Sequence, residues 1–222
     1  MKRLLPLSLA VLGLLAANAA LADKTPAASP AAATAAVAPA TAPAAQPAAL
    51  DSLALLEREV ARDSSKFDKD YMLGLMYLDR ERMPEALKVL GKANRLDPRD
   101  VKVLVNMGIA ADAIGHPDEA QGYYQKALGM APADSMAACR MASSKYAQGK
   151  YDEAMAMLRG VIAKQPRAYC AYFTLGVAFA DAGIYRDAIR MWRKVVEIAP
   201  DSPEALSAKE SIDVLEKFLN NK

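Results

Sequence analysis

From Phe67 onward, apolar and small residues return along the chain with a fixed spacing of 34 positions. Four prolines mark the period most clearly, because Pro98, Pro132, Pro166 and Pro200 each follow the one before by 34 residues. A repeated interval of this length is typical of a repeat architecture in which each copy is one supersecondary unit. We therefore predict four copies of one unit, spanning residues 67–100, 101–134, 135–168 and 169–202.

Small and large residues alternate within each unit at fixed phases. A glycine inside a helix costs about 0.5–1 kcal/mol relative to alanine, so a recurring one needs a packing reason, such as the close approach of two helices. We predict that the glycine phase of a first helix packs against the alanine phase of a second, which makes each unit a helical hairpin. The glycine phase is Gly74, Gly108, Ala142 and Gly176; the alanine phase is Ala86, Ala120, Ala154 and Ala188; large residues follow each alanine by four, at Leu90, Tyr124, Leu158 and Trp192.

This pattern resembles the tetratricopeptide repeat, with the fourth unit matching best through Tyr172, Leu175, Gly176, Phe179, Ala188, Trp192 and Pro200. The resemblance implies an all-α fold, a right-handed α-solenoid of four hairpins. The chain departs from the family pattern at Asp70, where a large residue is usual, at Ala111 and Lys145, where an aromatic is usual, and at Val161 and Val195, where alanine is usual.

A solenoid exposes apolar faces at both ends unless these are capped. Residues 50–66 carry Leu53, Leu56 and Val60 at helical spacing and align with the second half of a repeat, so we expect a half-repeat cap there. Residues 203–222 are expected to form a C-terminal capping helix. Its stripe is Ala208, Ile212, Leu215 and Leu219, with Ser202 as the N-cap and Pro203 in the first turn.

The first 49 residues differ from the rest. Residues 1–22 combine Lys2 and Arg3 with an apolar stretch and a small-residue triplet before Asp23, which indicates a secretory signal peptide. The alternative is an uncleaved membrane anchor, which is the one case in which we expect contact with a membrane. Residues 23–49 are rich in alanine and proline and are predicted to be a disordered linker. The expected location is periplasmic or otherwise extracytoplasmic.

Charge argues against nucleic acid as a partner. The chain has 28 basic and 26 acidic residues, and removing Lys2 and Arg3 with the signal leaves 28 − 2 = 26 basic residues against 26 acidic ones. A formally neutral protein lacks the excess of positive charge that supplies most non-specific affinity for nucleic acid.

The sequence contains none of the common catalytic motifs that we considered. The one histidine, His116, lies in the turn of the second unit without neighbouring ligands in sequence, which favours a solvated turn residue over a metal ligand or a base. Glycine-rich phosphate loops, a G-x-S-x-G elbow and the H-E-x-x-H motif are absent from the sequence. We expect no catalytic residue, no metal, no cofactor and no small-molecule substrate.

Cys139 and Cys170 leave two interpretations open. They lie on the first helices of neighbouring units, and an exported chain meets an oxidising compartment, so they could form a disulfide between units three and four. Alternatively, they are two unpaired small apolar residues. A thiol-redox protein that uses these cysteines is a weaker alternative, because the chain has no C-x-x-C pair.

In the family that the chain resembles, the first helices line a concave groove that binds a peptide segment or a helix of a partner protein. The resemblance implies a non-catalytic scaffold or adaptor of the kind that serves envelope assembly, secretion, or pilus or cytochrome biogenesis. A self-associating module, hence a homo-oligomer, is the alternative. The groove residues so implied are Tyr71, Met72, Leu75, Asn106, Ile109, Arg140, Tyr146, Phe173, Thr174 and Val177.

Overall fold

A computed structural model describes residues 52–63 and 66–221 of the chain. The signal and linker predicted for 1–22 and 23–49 lie outside the described residues. The described part contains ten α-helices and no strand, which confirms the all-α fold. The helices are α1 Ser52–Arg62, α2 Phe67–Asp79, α3 Met83–Leu96, α4 Val101–Ala113, α5 Pro117–Met130, α6 Ser135–Ala147, α7 Tyr151–Lys164, α8 Tyr169–Asp181, α9 Tyr185–Ile198 and α10 Pro203–Asn220.

The helices form two layers of a solenoid. Each pair α2–α3, α4–α5, α6–α7 and α8–α9 is a hairpin, and the second helix of each pair also packs on the first helix of the next. The first helices α2, α4, α6, α8 and α10 contact one another in succession, whereas the second helices are spaced farther apart. The first helices therefore form the inner layer of the curve. None of the described helices combines the length and the hydrophobicity that are needed to cross a membrane.

In the first, second and fourth hairpins, the atoms nearest to the glycine belong to the large residue and not to the alanine. A methyl group added at Gly74 would come within 3.0 Å of the Leu90 side chain, one at Gly108 would strike the Tyr124 ring, and one at Gly176 the Trp192 indole. The prediction that glycine packs against the alanine phase was therefore wrong in its partner. The alanines are themselves fully buried, but the side chain that fills the space left by glycine begins one turn later.

The turn inside each hairpin uses a left-handed residue at one repeated position. Gly115, Gly149 and Gly183 have φ angles of +79°, +78° and +75°, conformations that glycine adopts without a steric penalty. In the first hairpin the same position is Glu81, which has a φ angle of +56°. The first turn thus carries backbone strain that the other three avoid.

Helix α1 closes the N-terminal end of the solenoid. Leu53 and Val60 are buried in a core that they share with α2 and α3. The Glu57 carboxylate accepts hydrogen bonds from the Tyr77 hydroxyl at 2.8 Å and from Arg82 at 3.1 Å. Both apolar and polar contacts therefore fix α1 on the first hairpin.

Helix α10 occupies the place of a fifth first helix. Its start is capped by Ser202, whose side chain accepts a hydrogen bond from the Ala205 amide at 3.1 Å, and Ile212 and Leu215 are buried against α9. At the glycine phase, 34 residues after Gly176, this helix has the exposed Glu210. A second helix cannot pack closely on that face, because a charged side chain stands where the contact would form.

Asp70 is a buried carboxylate inside the first hairpin. Its residue has 0% relative exposure, and neither carboxylate oxygen has a hydrogen-bond partner among the described residues. Burial raises the pKa of this carboxyl, and the positive charges of Lys92 and Arg95 on α3 offset the rise only in part. This residue stands where the repeat family usually has a large side chain, so the departure weakens the first unit.

The glycine contact yields a paired test. Gly108→Ala should lower the free energy of unfolding by about 1–3 kcal/mol, because the added methyl group meets the buried Tyr124 ring. Gly122→Ala on α5 should raise it by about 0.5–1 kcal/mol, since nothing lies within 4 Å of that added methyl group. Urea unfolding followed by circular dichroism measures both, and changes of the same sign would contradict the contact.

Asp70 yields a second test. Asp70→Leu should raise the free energy of unfolding by about 1–3 kcal/mol, because it removes a buried carboxylate that has no hydrogen-bond partner. The raised pKa means that the folded state binds the Asp70 proton more tightly than the unfolded state. Stability should therefore fall as pH rises from the unfolded pKa to the folded one, and the variant should lose that part of the slope. Asp68→Leu, at an exposed position on the same helix, is the control; equal effects of both variants would refute a special role for Asp70.

Candidate functional site

The inner face of the first helices is apolar at its N-terminal end. Met72 and Leu75 on α2 expose 56% and 38% of their surface, although both are large apolar residues. Ile109 on α4 is half-buried and packs against the core of the second hairpin. Exposed Met72 and Leu75 therefore offer contact area that the described part of the chain does not itself cover.

Tyr71 and Asn106 bond to each other across the first two units. The Asn106 side-chain amide donates to the Tyr71 hydroxyl at 3.2 Å. Burial is the main cause of the raised pKa of Tyr71, so the phenol stays protonated at neutral pH. Both residues are half-buried, so they act first as a link between α2 and α4 and present only part of their surface to a partner.

A polar joint connects the second and third units. The Asp112 carboxylate accepts hydrogen bonds from the Tyr124 hydroxyl at 3.0 Å and from the Ser144 hydroxyl at 2.8 Å. Burial raises the pKa of Asp112, while the two hydroxyls and the charge of Arg140 oppose the rise. The joint therefore ties α4, α5 and α6 together at one carboxylate.

Arg140 projects from α6 beside this joint without an ion pair of its own. No carboxylate of the described residues lies within ion-pair distance, and its Nε atom is buried without a hydrogen-bond acceptor. Asp112 is already engaged by the two hydroxyls, so the terminal Nη donors of the guanidinium, though not its buried Nε, are left for a partner. A guanidinium in this state can receive a carboxylate in a bidentate arrangement.

In the C-terminal half of the inner face, more of the polar groups are hydrogen-bonded to other groups of the same chain. The Tyr146 hydroxyl donates to Asp181 at 3.3 Å, and burial, with the Asp181 charge, raises its pKa to about 12. Thr174 lies 3.5 Å from the Ser143 hydroxyl, and the Phe173 carbonyl accepts from the Trp192 indole at 3.3 Å. Phe173 and Val177 are half-buried against the α9–α10 core. These predicted groove residues all lie on the inner layer, but much of their surface serves the fold.

Cys139 and Cys170 form a disulfide that joins α6 to α8, with Cα atoms 6.1 Å apart. Of the two interpretations that the sequence left open, the structure has the cross-linked one. Cys139 is 3% and Cys170 9% exposed, so the cross-link lies just beneath the inner face. Its neighbours include Ala142, Ala171 and Leu175 in a core shared by units three and four.

His116 lies at the start of α5, where its imidazole Nδ1 is 3.4 Å from the Glu119 carboxylate and both side chains are exposed. The described residues contain no group of three or more His, Cys, Asp or Glu side chains that could hold a metal ion. The structure therefore shows His116 in a surface contact with Glu119.

Two features of the inner layer were not predicted from the sequence. One is the Asp112 joint, which needs hydroxyls from two different helices to meet one carboxylate. The other is the isolation of Arg140, which depends on where every nearby carboxylate points. Asp112 occupies the repeat position that is Leu78, Tyr146 and Ala180 in the other three units, so the 34-residue register could have marked it as a departure. The register could not have shown which groups Asp112 binds.

Two segments of the chain match family models of the tetratricopeptide repeat, residues 101–134 and residues 139–203. The geometry of the described hairpins agrees with these matches. The chain therefore contains tetratricopeptide repeats arranged in an all-helical solenoid. No curated protein sequence matches it significantly.

Solved structures show the same fold. The crystal structure of MamA is 21% identical, with a TM-score of 0.54, and the match covers 71% of this chain and 89% of MamA. TTC0263, a thermophilic TPR protein of Thermus thermophilus, is 17% identical with a TM-score of 0.61, covering 72% of this chain and 88% of that one. PilF of Pseudomonas aeruginosa is 21% identical with a TM-score of 0.56, covering 72% of each chain. At these identities the likeness establishes the fold alone.

The disulfide yields a stability test. Reduction should lower the free energy of unfolding by about 2–4 kcal/mol, since it releases a closed loop between Cys139 and Cys170 in the unfolded state. Thermal unfolding with and without a phosphine reductant measures the change. A variant with Cys139→Ser and Cys170→Ser is the control, because it should unfold identically in both conditions; an equal response of wild type and variant would contradict the cross-link.

Proposed function

We propose that this protein is a non-catalytic adaptor that holds a segment of a partner protein along the inner face of its first helices. The observation that carries the proposal is the exposure of Met72 and Leu75 on the same face as Arg140, whose guanidinium has no ion pair among the described residues. Exposed apolar side chains on α2 and an unpaired cation on α6, in the same layer of first helices, suit a peptide or helix with apolar anchors and a carboxylate.

The fold supports this proposal. Tetratricopeptide repeats commonly mediate protein–protein interaction, and proteins built from them are generally scaffolds without catalysis. In our proposal, Met72, Leu75 and Ile109 contact apolar side chains of the segment, and Arg140 binds its carboxylate. Tyr71 and Asn106 position the first two units through their mutual hydrogen bond. Tyr146, Phe173, Thr174 and Val177 extend the surface toward α10.

The cellular setting is part of the same proposal and rests on the sequence of residues 1–22. A secretory signal there would deliver the repeats to the periplasm or another extracytoplasmic space. In that setting the adaptor would serve envelope assembly, secretion, or pilus or cytochrome biogenesis, and it would need no cofactor and no nucleic acid.

A matched pair of variants tests the inner face. The chain with Met72→Ser, Leu75→Ser and Arg140→Gln should recover its partner from envelope extract at least about ten-fold less than wild type, because both the apolar anchors and the cation are lost. The control carries Leu96→Ser, Met130→Ser and Arg159→Gln, which removes two similarly exposed apolar side chains and one arginine from second helices. It should recover the partner as wild type does.

Circular dichroism first verifies that both variants keep wild-type helicity. Loss of the partner from the inner-face variant alone supports the proposal. Equal recovery by the inner-face variant and wild type would overturn it, as would a loss confined to the outer-face control. Recovery of further copies of this chain alone, with a solution mass that rises with concentration, would replace a foreign partner by self-association.

A further inference from the structure

A cavity of about 370 Å³ opens beside the disulfide, at the end of the inner face where α6 and α8 begin. Its volume lies within the roughly 300–1,000 Å³ of small-molecule pockets in proteins. The cavity lies outside the groove residues that we assigned to partner binding. Its lining is Ser135, Met136, Gln165, Pro166, Arg167, Ala168, Tyr169 and Cys170.

The two sulfurs of the cross-link differ in their access to this cavity. Cys170 lines it, and the Cys170 Sγ atom lies 3.4 Å from the carbonyl oxygen of Ser135, another lining residue. Cys139 does not line it and is the more deeply buried of the two, at 3% exposure against 9%, although both residues belong to the core shared by units three and four. A reagent in the cavity therefore meets Cys170 first.

The lining of the cavity carries one positive charge, while the Glu204 carboxylate acts on the lining residue Tyr169. Arg167 is the one lining residue with a formal charge at neutral pH, it is exposed, and no carboxylate of the described residues lies within ion-pair distance of it. The polar group of Gln165 is already engaged, because its amide donates to the Ala133 carbonyl at 2.5 Å. The charge thus favours an anionic reagent, and the Cys170 residue in the lining favours one that carries a thiol.

We propose that this cavity is a docking site for an anionic thiol, such as a γ-glutamyl tripeptide, which opens the cross-link by attacking Cys170 and not Cys139. The thiolate sulfur of the bound thiol forms a bond to Cys170 Sγ as the Cys139–Cys170 bond breaks. The electron pair of the broken bond leaves on Cys139 Sγ, which takes up a proton from water. One disulfide is exchanged for another, so the step needs no oxidant or reductant besides the thiol itself.

Opening the cross-link would remove the covalent tie between α6 and α8, so that non-covalent packing alone would hold these two helices against each other. Cys170 then carries the tripeptide, and the buried Cys139 thiol remains placed to attack it and restore the disulfide. The cavity would thus make the link between these units responsive to the thiols around the protein. This inference does not depend on the identity of any protein partner.

The experiment compares the two sulfurs one at a time in the full chain. Cys139→Ser and Cys170→Ser each leave one thiol, and each variant is treated with glutathione disulfide while the mass gain is followed. The Cys170 thiol of Cys139→Ser should react at least about ten-fold faster than the Cys139 thiol of Cys170→Ser. In urea the two rates should become equal, which verifies that the difference comes from the fold.

A charge variant tests the docking site itself. In the Cys139→Ser background, Arg167→Gln should slow the reaction with the anionic glutathione disulfide by at least about three-fold, and should not slow the reaction with the cationic cystamine. Arg159→Gln, on the outer face of α7, is the matched control and should change neither rate.

Wild type supplies a measurement that does not rely on the cysteine variants. Brief exposure to reduced glutathione, acid quenching and tryptic digestion should place the tripeptide on the peptide that begins at Ala168, since cleavage after Arg140 and Arg167 separates the two cysteines. Equal labelling, or labelling of Cys139 first, would overturn the attack on Cys170. An Arg167→Gln variant that slows both reagents equally would overturn the anion site.

Discussion

The contact between a glycine on the first helix and a large side chain on the second sets the spacing of the first, second and fourth hairpins. At Gly108 and Gly176 there is no room for even a methyl group, because an aromatic ring already fills the space above the helix backbone. Both rings are buried in cores that contain several fully buried alanines. Since the second helix of one unit packs on the first helix of the next, this spacing is passed from unit to unit along the solenoid.

Adjacent units are connected along the inner layer by interactions of different kinds. Units one and two share the Tyr71–Asn106 hydrogen bond, units two and three share the Asp112 joint, and units three and four share a disulfide. The strength of these links increases toward the C-terminus. An inner face that is fixed before binding loses less conformational freedom on binding, so the C-terminal half offers the more preorganised surface.

Much of this fold follows from the 34-residue period, because a helical hairpin that packs only on its neighbours leaves the same marks in every copy. The hairpins were predicted correctly from it, while Ser202 as a cap and the stripe of α10 were predicted correctly from capping residues and helical spacing. The partner of the glycines was not, since phase along two helices does not reveal which residues meet across them. Asp70 was recognised as a departure, but its complete burial depends on the packing of α2 against α3. The first turn was missed for a related reason: Glu81 breaks the glycine pattern of the other three turns, so its left-handed backbone shows only in three dimensions.

The cross-link between Cys139 and Cys170 also bears on how the chain responds to mechanical load. If the two ends are drawn apart, the residues between the cysteines cannot extend while the cross-link is intact, because the force passes through the sulfurs. With 31 residues of separation, about 100 Å of chain is withheld from stretching. The described residues of the first two hairpins contain no disulfide, so these hairpins can extend over their full length under load. The same repeat thus serves as an extensible element in the first two units and as a length-limited one in the third.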